Sequence, residues 1–169
     1  MFRFKCVSCD QWHEGMPGFA TMAPSYYDSM PPDERAARCY LDSDFCVIDN
    51  QYFFVRACLE LPVIGTIESF VWGVWVSLSD ASFKVFVNCY EEAQRSHNGP
   101  FFGWLAAELP LYPDTNGLKT HVHLRDEGVR PRIELEPTNH PLAVEQRNGL
   151  DAARVAEIFS FFEHQQDKF

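Results

Sequence analysis

Two stretches of about ten residues, YFFVRACLEL (52–61) and SFVWGVWVSLS (69–79), alternate along the chain and limit what it can fold into. Alternation with a period of two puts every second side chain on one face of a strand. In the second stretch Phe70, Trp72, Val74 and Val76 share a side that must be core, while Ser69, Val71, Gly73, Trp75 and Ser77 share the other. In the first, Tyr52, Phe54, Arg56 and Glu60 fall on one face. DFCVID (44–49) and a tight turn at Asn50-Gln51 precede it, so 44–61 reads as a β-hairpin and 69–79 as a third strand.

The rest of the chain divides by the same logic. Residues 1–6 read as a short strand, 15–31 as irregular because Gly and Pro punctuate them, and 31–40 as a helix with Pro and acidic residues in its first turn. Residues 79–93 carry an apolar stripe at helical spacing, and FFGWLAAEL (101–109) is expected to be a short helix stopped by Pro110. Residues 117–137 form the clearest hairpin, with Val122 and Leu124 on one side and His121, His123 and Arg125 on the other. Helices are expected over 139–149 and 151–164. This order predicts an α+β fold, an antiparallel β-sheet covered by helices, with an N-terminal zinc-knuckle-like turn. Residues 1–169 are expected to form a single domain, with 1–46 as a metal-knuckle and irregular segment packed on it.

Aromatic residues at 15% and hydrophobic residues at 46% exclude a disordered chain. A formal charge of −10 argues against nucleic-acid binding, which needs clustered Lys and Arg. MFRFKCVSCD lacks the apolar run of a signal peptide, and FVWGVWVSL (70–78) is half the ~18 apolar residues that span a bilayer. The expected location is therefore cytoplasmic, off the membrane, where thiols stay reduced and the six cysteines serve as ligands or core residues.

FKCVSCDQWHEG (4–15) is the most chemically informative segment. Cys-x-x-Cys at a tight turn lets two thiolates grip one zinc. A redox pair of the thioredoxin type needs a helix opening at the second cysteine, and Gly15, Pro17 and Gly18 forbid one. A zinc here needs two further ligands. The expected set is Cys6, Cys9, Cys39 and Cys46, with His13 as an alternative ligand. Cys58 and Cys89 fall inside strand and helix patterns and read as small core residues.

In order, FKCVSCDQWHEG, SDFCVIDNQYFFVRACLELPV, FVWGVWVSLS, FFGWLAAELPLYPDT, LKTHVHL and RPRIELEPTNHPLAVEQRNG resemble the uncharacterised bacterial family catalogued as domain of unknown function 2199. The resemblance covers nearly the whole chain and implies a compact bacterial domain with no assigned activity. Members of that family read Cys-x-x-Cys-Gly at the knuckle, where this chain has Asp10.

Other residues compete as sites. His121 and His123 form a His-x-His pair, but Lys119 and Arg125 share that face and repel a cation, so a solvated strand face is expected. Tyr52, Arg56, Trp75 and Ser77 make a candidate ligand floor, an aromatic ring among small residues beside an arginine. The competing expectation has a C-terminal helix filling that surface. His140 and Glu145 are an acid and base if they converge on one cleft, and His140 before Pro141 is a helix cap otherwise. No nucleotide-loop, metalloprotease or serine-hydrolase motif occurs. The expected function is a zinc-stabilised binding module that engages a protein partner, like an adaptor or an acidic immunity protein. The alternatives are a zinc-dependent hydrolase and a small-molecule sensor.

Overall fold

A computed structural model describes residues 1–164 of the chain. In chain order its first elements are β1 (Arg3–Lys5), β2 (Trp12–Glu14), β3 (Gly18–Ala20), α1 (Ser25–Asp28), α2 (Pro32–Arg38), β4 (Cys39–Leu41) and β5 (Phe45–Ile48). There follow β6 (Tyr52–Pro62), β7 (Ser69–Leu78), α3 (Asp80–Asn88), β8 (Phe101–Leu105), β9 (Lys119–His123), β10 (Arg132–Leu135), α4 (Pro141–Asn148) and α5 (Ala152–His164). The segment read as irregular thus contains a short strand and one helical turn.

The two alternating stretches become β6 and β7, paired antiparallel from Phe53↔Leu78 to Pro62↔Ser69. Each is long enough to serve two neighbours on its far edge. Through Val71–Gly73, β7 pairs in parallel with β3, and through Val76–Leu78 it pairs antiparallel with β8. Through Tyr52–Val55, β6 pairs antiparallel with β5, and through Cys58 and Leu59 it pairs in parallel with β10. Since β8 pairs with β9 and β9 with β10, the ring β6-β7-β8-β9-β10 closes into a five-stranded barrel. The expected plain antiparallel sheet is thereby corrected. Alternation marks which side chains point inward, but it does not encode that β10 returns parallel to β6 and closes the ring, leaving only the short strands β3 and β4 at edges.

The barrel core follows the register. Val55, Leu59, Trp72, Val76, Leu105, Val122 and Ile133 are at most 1% exposed and stack as cross-strand neighbours. Gly103 lies where strands approach closely: a Cβ there would stand 2.4 Å from Val76 Cγ1 and 2.6 Å from the Ser77 carbonyl oxygen. The helix expected over 101–109 is instead β8. Phe101, Gly103 and Leu105 point into the barrel and Phe102 and Trp104 point out, a period of two that barrel closure enforces over local propensity.

The β5–β6 hairpin turns through Asp49 and Asn50, both at positive φ (54° and 50°), one residue earlier than the sequence reading placed it. The Gln51 amide closes this turn on the Ile48 carbonyl (3.0 Å), and Ile48 pairs with Tyr52, so three residues connect the strands, with positive φ at the first two matching strand twist. On the outer face of the barrel Cys46, Ile48, Phe54, Trp75 and Ala106 form a second core, covered by Tyr27, Met30, Cys39 and Leu41. Helix α4 packs on β6, and α5 packs on β1. Among the described residues no helix is long and apolar enough to cross a membrane.

Candidate functional site

Strands β1 and β2 pair as Arg3↔Glu14, Phe4↔His13 and Lys5↔Trp12, so the cysteine knuckle is the loop of a hairpin. The Cys6 amide donates to the Gln11 carbonyl (2.9 Å) and the Asp10 amide to the Cys6 carbonyl (3.2 Å). Asp10 takes φ 58°, the left-handed conformation for which glycine is the least strained residue.

Helix α5 lies against this hairpin. The Phe159 ring stands 5.0 Å from that of Phe4 and 4.5 Å from that of His13, and the Ser8 and Ser160 hydroxyls are hydrogen-bonded. One turn beyond Ser160, on the same helix face, is His164. One ligand atom from each of Cys6, Cys9, His13 and His164 lies within 4.8 Å of the others, with Cys9 Sγ 3.4 Å from His13 Nε2.

The donor set suits a metal ion. Tetrahedral zinc with two sulfur and two nitrogen ligands holds them about 3.3–3.8 Å apart. The His164 Nε2 atom is sealed from solvent and has no hydrogen-bond partner among the described residues. Burial raises the Cys6 thiol pKa, but hydrogen bonds from the Cys9 and Ser8 amides and from the Cys9 and Ser160 side chains outweigh it. The net effect is a pKa below that of an ordinary thiol. Together the four residues could hold a metal ion.

Cys39 and Cys46, the ligands that the sequence reading added to Cys6 and Cys9, are not in this group. They lie on β4 and β5 in the second core, where Cys39 Sγ contacts Met30 Sδ at 3.5 Å. Burial raises both thiols, Cys46 to about 12, and both side chains pack in that apolar cluster. His13 does join the group. The fourth member, His164, was missed because nothing in its spacing ties it to the knuckle. Its one sequence signal is a histidine ending the amphipathic stripe of Val155, Ile158, Phe159 and Phe162.

The candidate ligand floor separates into three environments. Trp75 is fully buried, its indole N–H donating to the Thr21 carbonyl (3.2 Å) beneath Tyr27 and Met30. The cover is therefore the segment leading into α1 and α2, not the C-terminal helix. Tyr52 and Ser77 line a cleft of ≈ 740 Å³ with Tyr26, Met30, Phe54 and Trp104. Arg38 on its wall is already held by Asp49 (2.8 and 2.7 Å) and Glu34 (2.5 Å). Arg56 faces a different pocket, with Asp44, Arg95 and Arg130.

His140 and Glu145 have both their polar groups engaged. His140 Nδ1 accepts the Leu142 amide (3.1 Å), capping α4, and its Nε2 meets the Asp114 carbonyl (3.0 Å). Glu145 accepts from the Tyr112 hydroxyl (2.5 Å) and from Arg154 Nε (2.8 Å). His121 and His123 pair across to Glu136 and Glu134, each at 3.4 Å.

Fold and site define a small α/β domain built on a closed five-stranded barrel, with a Cys2His2 group able to hold a metal. The chain belongs to the family described as uncharacterised protein conserved in bacteria, domain of unknown function 2199, which it matches over residues 5–150. That span includes Cys6, Cys9 and His13 and ends before α5, which carries His164. No curated protein and no solved structure matches the chain.

Proposed function

We propose that this is a cytoplasmic, zinc-stabilised binding module that engages a protein partner through the cleft between α1, α2 and the barrel. One observation carries the reading: the Cys2His2 group and the aromatic cleft share no residue. Four protein ligands close a zinc to substrate, so the metal's work is structural. A hydrolase needs an open coordination position, which this donor set does not leave.

The cleft supports binding over catalysis. Tyr26, Tyr52 and Trp104 are 57%, 54% and 46% exposed over a floor of Phe54 and Ile48, a composition typical of interface anchors. Its guanidinium is neutralised by two carboxylates, so partner side chains entering it are apolar or aromatic. The net charge of −10 speeds encounter with a basic protein, as in adaptor and immunity proteins.

The test joins two measurements. Elemental analysis of untagged protein should give about one zinc per chain. A partner recovered at low salt, then purified and titrated, should lose affinity by about tenfold or more for Tyr52→Ala or Trp104→Ala. Equal capture by wild type and both variants overturns the cleft assignment. A thermal-shift screen in which small molecules stabilise wild type but not Tyr52→Ala favours the sensor reading.

A further inference from the structure

The cleft between α1, α2 and the barrel offers a partner more than an apolar floor. Among the described residues the Tyr26 and Tyr52 hydroxyls and the Trp104 indole N–H meet no hydrogen-bond partner. Hydrogen bonds from side chains reach Tyr26 and Trp104 only at their carbonyls, from the hydroxyls of Ser29 (3.0 Å) and Ser77 (3.5 Å). Two phenols and an indole are thus free to donate along the rim. Their rings are braced: Tyr26 lies 5.7 Å from Phe54, and Trp104 meets Phe102 edge-on at 5.1 Å.

These donors select the backbone they can serve. A docking β-strand needs a free strand edge, and β5, β6, β7 and β8, which form the floor, each have neighbours on both sides. A docking helix spends its carbonyls on its own amides. A polyproline II segment has no internal hydrogen bonds, so its carbonyls stay open to donors on a groove wall while its proline rings pack on aromatic ones. It also arrives already extended, so little freedom is lost on docking.

Ser29 on the cleft wall also lines a second pocket of ≈ 350 Å³, with Ser25, Asp28 and Glu108. Asn116 accepts from the Ser25 hydroxyl (2.7 Å) and donates to Glu108 (3.0 Å), which fixes that carboxylate. Arg35 donates to the Asp28 carbonyl (2.9 Å) rather than to its carboxylate, and Glu108 has no basic partner among the described residues. Burial raises the Asp28 carboxyl above its ordinary range, with Arg35 opposing and Glu108 adding to the effect.

We infer that the segment the cleft takes is a proline-rich stretch in the polyproline II conformation, flanked by a lysine or arginine. This rests on the binding-module reading above. The prolines lie on Tyr26, Tyr52 and Trp104, and the cation enters the acidic pocket past Ser29, where charge complementarity sets the direction in which the segment runs.

Isothermal titration calorimetry at low ionic strength tests this on the full chain. The titrants are two synthetic peptides with a Pro-Pro-Leu-Pro core, one with arginine at its amino end and one with arginine at its carboxyl end. Wild type should bind at least one of them saturably, with a dissociation constant of about 1 mM or below. Alanine in place of the prolines should weaken binding by about tenfold or more, and so should Tyr52→Ala in the protein. Glu108→Gln should weaken the arginine peptide by about two- to fivefold and leave a version with glutamine for arginine unaffected. No saturable heat with either peptide to about 1 mM, undiminished binding of the alanine version, or equal affinity of Glu108→Gln and wild type for the arginine peptide overturns the inference. A purified protein partner that loses affinity for Tyr52→Ala while neither peptide binds overturns this inference alone. Equal capture of that partner by wild type and Tyr52→Ala overturns the cleft reading with it. If Tyr52→Ala does not fold, Trp104→Ala is judged by the same affinity criterion.

Discussion

Ser8 and Ser160 are 152 residues apart in sequence and joined hydroxyl to hydroxyl, the knuckle loop to the middle of α5. Through that contact the helix face carrying His164 is aimed at Cys6, Cys9 and His13. The first hairpin and the last described helix are thus one unit, and the metal reading can be tested on either half of it.

His164→Ala should reduce zinc content as Cys6→Ser does, although the two residues lie at opposite ends of the described chain. Structural zinc in small domains contributes on the order of 10 kcal/mol of binding free energy, so losing a ligand should lower the melting temperature by about 10 °C or more. Elemental analysis and a thermal melt of each variant provide the check. Normal zinc content in His164→Ala would remove it from the ligand set.

The two groups of cysteines should separate by reactivity. In zinc-loaded protein neither Cys6 nor Cys46 should take up iodoacetamide. After chelation, Cys6 and Cys9 should react, whereas Cys46, fully buried and with its thiol raised to about 12, should stay unmodified until the barrel unfolds. Peptide mass spectrometry across a time course distinguishes the sets.

Asp10→Gly should stabilise the protein by about 0.5–1 kcal/mol. The substitution relieves a left-handed backbone at φ 58° and loses an exposed Lys5–Asp10 pair that contributes little. Asp10→Ala should destabilise, since alanine tolerates this conformation less well than aspartate. Urea midpoints of the three proteins settle the order.

Gly103→Ala should cost about 1–3 kcal/mol by overpacking, because the added methyl meets both Val76 Cγ1 and the Ser77 carbonyl oxygen. The same substitution at Gly117, where a Cβ meets nothing within 4 Å, should cost less per added atom and through backbone strain alone.

Acid should weaken the β4–β5 corner first. Burial alone would raise Asp44, but hydrogen bonds from Arg130, Tyr90 and Ser43 outweigh it and hold its carboxyl below the usual range. Asp42 is likewise depressed: burial is outweighed by the Tyr40 hydroxyl and the Asp44 and Phe45 amides. A folded-state pKa below the unfolded value of about 3.9 gives stability that is complete above that value and is lost as pH falls through the folded pKa. In metal-free protein, where protonation of zinc ligands cannot contribute, the share of stability due to these carboxylates, read from denaturation midpoints, should be constant down to about pH 5 and fall below about 4, and Asp44→Asn should reduce that fall.

How far sequence carried the fold can be judged strand by strand. β6 and β7 were legible because ten-residue alternation leaves no other reading, and α5 because Val155 and Ile158 recur at helical spacing. β8 was not, since Phe-Phe-Gly-Trp-Leu acquires its inward and outward sides only from partners on both edges. The metal group was half legible: Cys6, Cys9 and His13 are neighbours in sequence, whereas His164 arrives through packing of Phe159 on Phe4. Cys39 and Cys46 suggested ligands by residue type alone, and the outer core into which they fold has no signature in their spacing.

With a metal bound, coordination of Cys9 and His164 closes the chain into a loop of roughly 150 residues that contains the whole barrel. In the chain-entropy account a covalent link of that span removes on the order of 5 kcal/mol of freedom from the unfolded chain. It also changes what a cut can do. A protease that nicks the exposed turn at Gly128 leaves two fragments still fastened to each other through the ion, so the domain would lose its polypeptide continuity without coming apart.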